Sequence, residues 1–215
     1  MRKIDVEKRT LSGFDPCFTV NLPVQPIVYP MDSFYAQAGR KLPFIESISG
    51  DQMPEPFRSL LVHEVDMTST LERYHKGRIE LSLISLDQRD DFYFRASTLV
   101  LAGCGKRVEF GAIRINLSLF KPVARQLILE GRQPLGSILA QCEVAYRSKP
   151  KAFLRMESDD YINAALGLEG KHVLYGRRNT LTDPTQRSLA EIVEILPPES
   201  DQSEQGTAAA GGSAR

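Results

Sequence analysis

Residues 92–116 read FYFRASTLVLAGCGKRVEFGAIRIN, and this stretch decides the fold. Residues 92–101 are almost wholly apolar or β-branched, and 106–116 resume the pattern after Gly103-Cys104-Gly105. Glycines accept the positive φ that a tight reversal needs, so the two runs are expected to pair as an antiparallel hairpin. Arg95 sits within the first run on the same face as Tyr93, Leu99 and Leu101. A guanidinium among apolar neighbours has to snorkel, pair or meet an anion. Arg95 is therefore the first candidate site residue.

Outward from the hairpin, 119–128 repeat apolar residues at helical spacing up to Gly131, and Pro134 is placed as the first residue of another helix. Residues 78–86 alternate as a half-buried strand as far as Leu83, then lose phase at Ile84-Ser85-Leu86. Residues 151–156, 172–181 and 188–196 read as three further strands, the last two joined by the turn Thr182-Asp183-Pro184-Thr185. Phe57, Leu60, Leu61 and Val65 mark a helix, and Thr68 or Ser69 is expected to cap the next one. A short helix is expected over 32–39 and loop over 40–56. The fold class is α+β, a single antiparallel sheet of about six strands with helices packed against it. Residues 1–26 are expected to form an irregular arm, 27–198 the folded domain, and 199–215, rich in Glu, Ser, Gln, Ala and Gly, a disordered tail.

The chain has 215 residues with 27 basic and 27 acidic side chains, a formal net charge of zero. That balance gives no electrostatic reason to expect nucleic acid or an anionic membrane as partner. No apolar run approaches the roughly 20 residues that span a bilayer. Cys17, Cys104 and Cys142 are too scattered for a disulfide framework or a Cys-x-x-Cys metal site, so a reducing cytoplasm is the expected compartment. Packing is the expected role of Cys104 and Cys142. His63, His75 and His172 show no metal-ligand spacing. The GCGKR turn resembles a phosphate loop only superficially, because it lies in a hairpin and not before a helix.

Arginine is the informative residue type. Arg114, Arg177 and Arg178 join Arg95 within expected strands, each with an outward, solvent-paired alternative. A buried guanidinium can hold a carboxylate through two parallel hydrogen bonds, which suits a small aromatic or cyclohexadiene acid. Glu194 shares a strand face with Ile192 and Leu196, so it is the expected inward carboxylate. Glu191 falls on the opposite face and is expected to be solvated.

Four segments in order, DMTSTLERYHKG, then FYFRASTLVLAGCGKRVEFGAIRIN, EGRQPLGSILA, and LYGRRNTL followed by AEIVEILPP, resemble chorismate pyruvate-lyase. The resemblance spans most of 57–198. It implies a six-stranded antiparallel sheet and a cofactor-free, metal-free elimination of pyruvate from chorismate to give 4-hydroxybenzoate. By position it implies that Arg95 grips a substrate carboxylate and that Glu194 is the essential late-strand acid. Met67 then lines the pocket, Leu135 offers a backbone amide, and Arg177 or Arg178 supplies a second anion contact. The turn before the last strand is longer by about two residues than the family's, which makes Glu191 the fallback for Glu194. Arg114 stands where the better-known branch is apolar. The alternative function is a non-catalytic domain binding a small aromatic acid, related to regulator effector domains. Such domains normally follow a helix-turn-helix, which the Pro-interrupted first 56 residues are not expected to supply.

Overall fold

The computed structural model describes residues 27–199. The expected arm over 1–26 and almost all of the expected tail lie outside them. Among the described residues the chain forms seven strands and six α-helices. In order these are α1 (Met31–Gln37), β1 (Ile45–Ile48), α2 (Phe57–Leu61), α3 (Met67–His75), β2 (Ile79–Arg89), β3 (Phe92–Leu101), β4 (Arg107–Asn116), α4 (Pro122–Glu130), α5 (Leu135–Gln141), β5 (Arg147–Glu157), α6 (Asp160–Leu166), β6 (Val173–Thr182) and β7 (Ser188–Leu196). The strands make one sheet in the order β1-β5-β6-β7-β4-β3-β2, every pair antiparallel.

Period-two alternation divides the side chains of the sheet between two helical layers. On one face Phe94, Ala96, Phe110, Ala112, Leu154, Val193 and Ile195 bury against α1 and α6. The other face carries α2 and α3 over Leu99 and Leu196, and α4 and α5 over Ile113, Leu181 and Ile192. Between these two apolar clusters, in the middle of the sheet, lies the polar region described below.

The hairpin closes as expected, with φ of 86° at Gly103 and 68° at Gly105. The lost phase near Ile84 is a register shift between Leu83 and Ser85. Five expectations change. A seventh strand, β1, occupies part of the expected loop and pairs with β5. Strand β5 begins at Arg147, not at 151, and tolerates Pro150 where β1 no longer covers its edge. Helix α3 is capped by Asp66, whose carboxylate accepts from the Ser69 amide at 2.8 Å, and not by Thr68 or Ser69. Pro134 is the cap position of α5, with an extended ψ of 146°, so Leu135 is its first helical residue. Cys104 is exposed in the hairpin turn and does no packing, whereas Cys142 is half-buried at the end of α5. No helix among the described residues is long and apolar enough to cross a membrane.

Candidate functional site

The helix-covered face leaves a cavity between the α2–α3 and α4–α5 pairs. Its floor is Arg95, Ser97 and Leu99 of β3, Glu109, Gly111 and Ile113 of β4, Ile192 and Glu194 of β7, and Asn179 and Leu181 of β6. The first turns of α3 (Asp66, Met67, Thr68) and α5 (Pro134, Leu135, Gly136) form the roof. The space not filled by protein atoms, mouth included, is about 540 Å³. The enclosed room proper is about 60 Å³, well under the roughly 300–1,000 Å³ usual for small-molecule sites, so the cavity is tight in this conformation.

Register explains how distant segments meet here. Arg95 faces Ile113 across β3–β4, Gly111 faces Glu194 across β4–β7, and Arg177 faces Glu194 across β6–β7. Arg95, Met67, Leu135 and Glu194 therefore line one cavity although they lie far apart in sequence. The other three sequence candidates do not line it. Arg114 and Arg178 project from the opposite face. Arg114 stacks over the Phe92 ring at 3.8 Å, and Arg178 meets Glu191 at 3.3 Å. Glu191 is buried rather than solvated, held also by the Thr180 and Ser188 hydroxyls at 2.9 and 3.0 Å.

Arg177 is fully buried beneath the loop between α2 and α3. Its Nε donates to Glu194 Oε2 at 2.5 Å, and its Nη atoms donate to the carbonyls of Leu61, His63 and Val65 at 3.2, 3.0 and 3.1 Å. These bonds use four of its five N–H donors and fix it as a brace between β7 and the loop. His63 belongs to the same loop. Burial, and then the Arg177 charge, push its imidazole below the ordinary value, and its Nδ1 accepts from the Val65 amide at 3.1 Å. The pairing also fixes Glu194, holding Oε2 against Arg177 within the cavity floor.

Arg95 is the contrasting case. It is 3% exposed, and Nη1 donates to the Gln133 carbonyl at 3.3 Å. Its Nε has no hydrogen-bond partner, and no carboxylate among the described residues pairs with it. Burial lowers its pKa from the ordinary value, and the nearby Tyr93 hydroxyl opposes that shift without reaching hydrogen-bond geometry. A buried cation with unsatisfied donors is a receptor for an anion.

Glu109 is a further acid of the site, unexpected from the sequence. It is 4% exposed, lines the cavity, and its Oε2 has no partner. Burial raises its carboxyl well above the ordinary value; the Glu194 charge adds to this, Arg177 opposes it and Asp66 adds a little more. The signal was an acid within the apolar run VEFGAI, the same kind of signal that drew attention to Arg95. Among the described residues no cluster of three or more His, Cys, Asp or Glu is arranged to hold a metal.

No protein-family model and no curated protein matches this chain. Solved structures do. PhnF from Mycobacterium smegmatis superposes with a TM-score of 0.50 at 11% identity, covering 64% of this chain and 65% of that one, just under two thirds of its length. The effector domain of the same PhnF gives 0.48 at 10% identity, covering 62% and 88%. The ligand-binding domain of a Bordetella bronchiseptica protein described as a GntR-family transcriptional regulator gives 0.45 at 13%, covering 57% and 86%. The chain shares the α+β fold of PhnF, and at 11% identity the likeness is one of fold.

Proposed function

We propose that the cavity binds a small ring carboxylate through Arg95 and eliminates pyruvate from chorismate to give 4-hydroxybenzoate. The observation that carries this reading is the buried, unneutralised Arg95 in one cavity with two carboxyl groups of different surroundings. The carboxylate-holding guanidinium supplies orientation, and Ile113, Leu181 and Ile192 give the ring an apolar wall. Aromatisation makes the elimination downhill. What remains for the protein is to take the hydrogen from the hydroxyl-bearing ring carbon and stabilise the departing ether oxygen. Glu194, fixed by Arg177, is the acceptor for that hydrogen.

Incubating the protein with chorismate and following 4-hydroxybenzoate and pyruvate tests the reaction. Calorimetry with 4-hydroxybenzoate tests the anchor. Arg95→Ala is expected to lose about 1.5–3 kcal/mol of product binding, the range for hydrogen bonds to charged groups. Arg114→Ala, on the opposite face, should bind like the wild type. Equal affinities for the two variants would remove Arg95 from the site.

The fold likeness to PhnF favours a second reading, a domain that binds an aromatic acid without turning it over. Tight binding of 4-hydroxybenzoate by a wild type that leaves chorismate intact would select it.

A further inference from the structure

Glu109 and Glu194 share one cavity but not one environment. Glu194 accepts from Arg177, whereas Glu109 Oε2 accepts from nothing. Their placement follows from the sheet. Gly111 is the cross-strand partner of Glu194, and Glu109 lies two residues away on the same β4 face, a diagonal separation of roughly 7–8 Å between backbones. A register shift between Leu99 and Val100 leaves Val108 without a cross-strand partner, and Glu109 then faces Leu99. Such irregularities re-aim side chains beside functional sites. A carboxylate buried without a donor is costly, and the acid form relieves that cost.

We propose that Glu109 is the proton donor of this cavity, acting on the ether oxygen that leaves with the three-carbon fragment while Glu194 accepts the ring proton. The proposal rests on the lyase reading and divides its chemistry between two acids. The Glu194 carboxylate removes the proton from the hydroxyl-bearing ring carbon. That C–H pair becomes the new ring double bond, and the neighbouring ether C–O bond breaks with its electrons on oxygen. The Glu109 carboxyl protonates that oxygen, which releases enolpyruvate to tautomerise to pyruvate. One proton enters Glu194 and one leaves Glu109, so a single return transfer resets the pair, and chorismate is accounted for as 4-hydroxybenzoate plus pyruvate. Two carboxyls in unlike surroundings, one paired with a cation and one without a donor on its inner oxygen, are a usual arrangement for an acid and a base in one site.

The charged and titratable groups that bear on Glu109 are Glu194 on β7, Arg177 on β6 and Asp66 at the head of α3, with Arg95 on β3 lining the same cavity. An acid catalyst works only while protonated, so kcat should fall as pH rises through the raised Glu109 value. Glu109→Gln keeps shape and cannot supply the proton. Its kcat should drop about 10²-fold or more, its affinity for 4-hydroxybenzoate should stay within about threefold, and the alkaline fall should vanish. Carboxyl ¹³C NMR of the unmutated protein gives a check independent of the variant's folding: one glutamate should remain protonated at neutral pH. Wild-type kcat in Glu109→Gln, an unchanged alkaline fall, or complete ionisation of the glutamates at neutral pH would each overturn the proposal. A wild type that binds 4-hydroxybenzoate and never converts chorismate removes the lyase reading itself, and the donor role with it. In that case the unmutated protein is the silent one, which separates the two failures.

Discussion

Glu194→Gln is expected to reduce chorismate turnover by about 10²–10⁴-fold, the usual worth of a positioned acid or base. The amide fills the same volume and still accepts from Arg177 Nε, but it has no basic carboxylate to receive a ring proton. Affinity for 4-hydroxybenzoate should change modestly, because Arg95 on another strand holds the carboxylate in this reading. The matched control is Glu191→Gln. That side chain is bound to Arg178, Thr180 and Ser188 on the opposite face, so its loss should register in stability and leave turnover nearly intact. Steady-state kinetics on the two variants separates the faces of β7. An inactive Glu191→Gln beside an active Glu194→Gln would place the chemistry on the wrong side of the sheet for this cavity.

The largest effect on stability is expected at Arg177. Arg177→Met removes the cation from a fully buried pair and leaves Glu194 without its partner. Breaking a buried pair from one side typically costs about 3–5 kcal/mol. Three carbonyls of the α2–α3 loop lose their donor at the same time. Adding Glu194→Leu should recover part of the loss, since an apolar pair of similar volume leaves no stranded charge. Denaturant midpoints of the two single variants and the double variant measure this. Strictly additive midpoints would mean that the 2.5 Å contact contributes no coupling.

The residues differ in how far the chain alone disclosed them. Arg95 was legible because one charge interrupts a long apolar strand, and the strand partners of that run were fixed by Gly103 and Gly105. Glu194 was legible from its alternation with Ile192 and Leu196. Glu109 was not. Val108 shifts the register beside it, and Gly111, its neighbour on the same face, has no side chain to extend the pattern. Arg177 was visible as a charge, but its role depends on carbonyls more than a hundred residues earlier in the chain, which no local pattern encodes. Strand β1 has four residues, too few for alternation to stand out in a loop bounded by Pro43 and Pro54. The cap of α3 was misplaced because Asp66, Thr68 and Ser69 are all competent caps, and only the backbone path decides among them.

Gly136 sets how closely the two helices that roof the cavity approach one another. A methyl group there would lie 2.7 Å from Asp66 Oδ1 and 3.0 Å from Thr68 Oγ1, so α5 and α3 touch as closely as hydrogen allows. The seam between the two roof helices is thus closed by bare backbone on one side and by the Asp66 and Thr68 side chains on the other. A side chain at 136 would have to displace the Asp66 carboxylate or the Thr68 side chain, so the rim of the cavity and the cap of α3 are tied to the same missing methyl group.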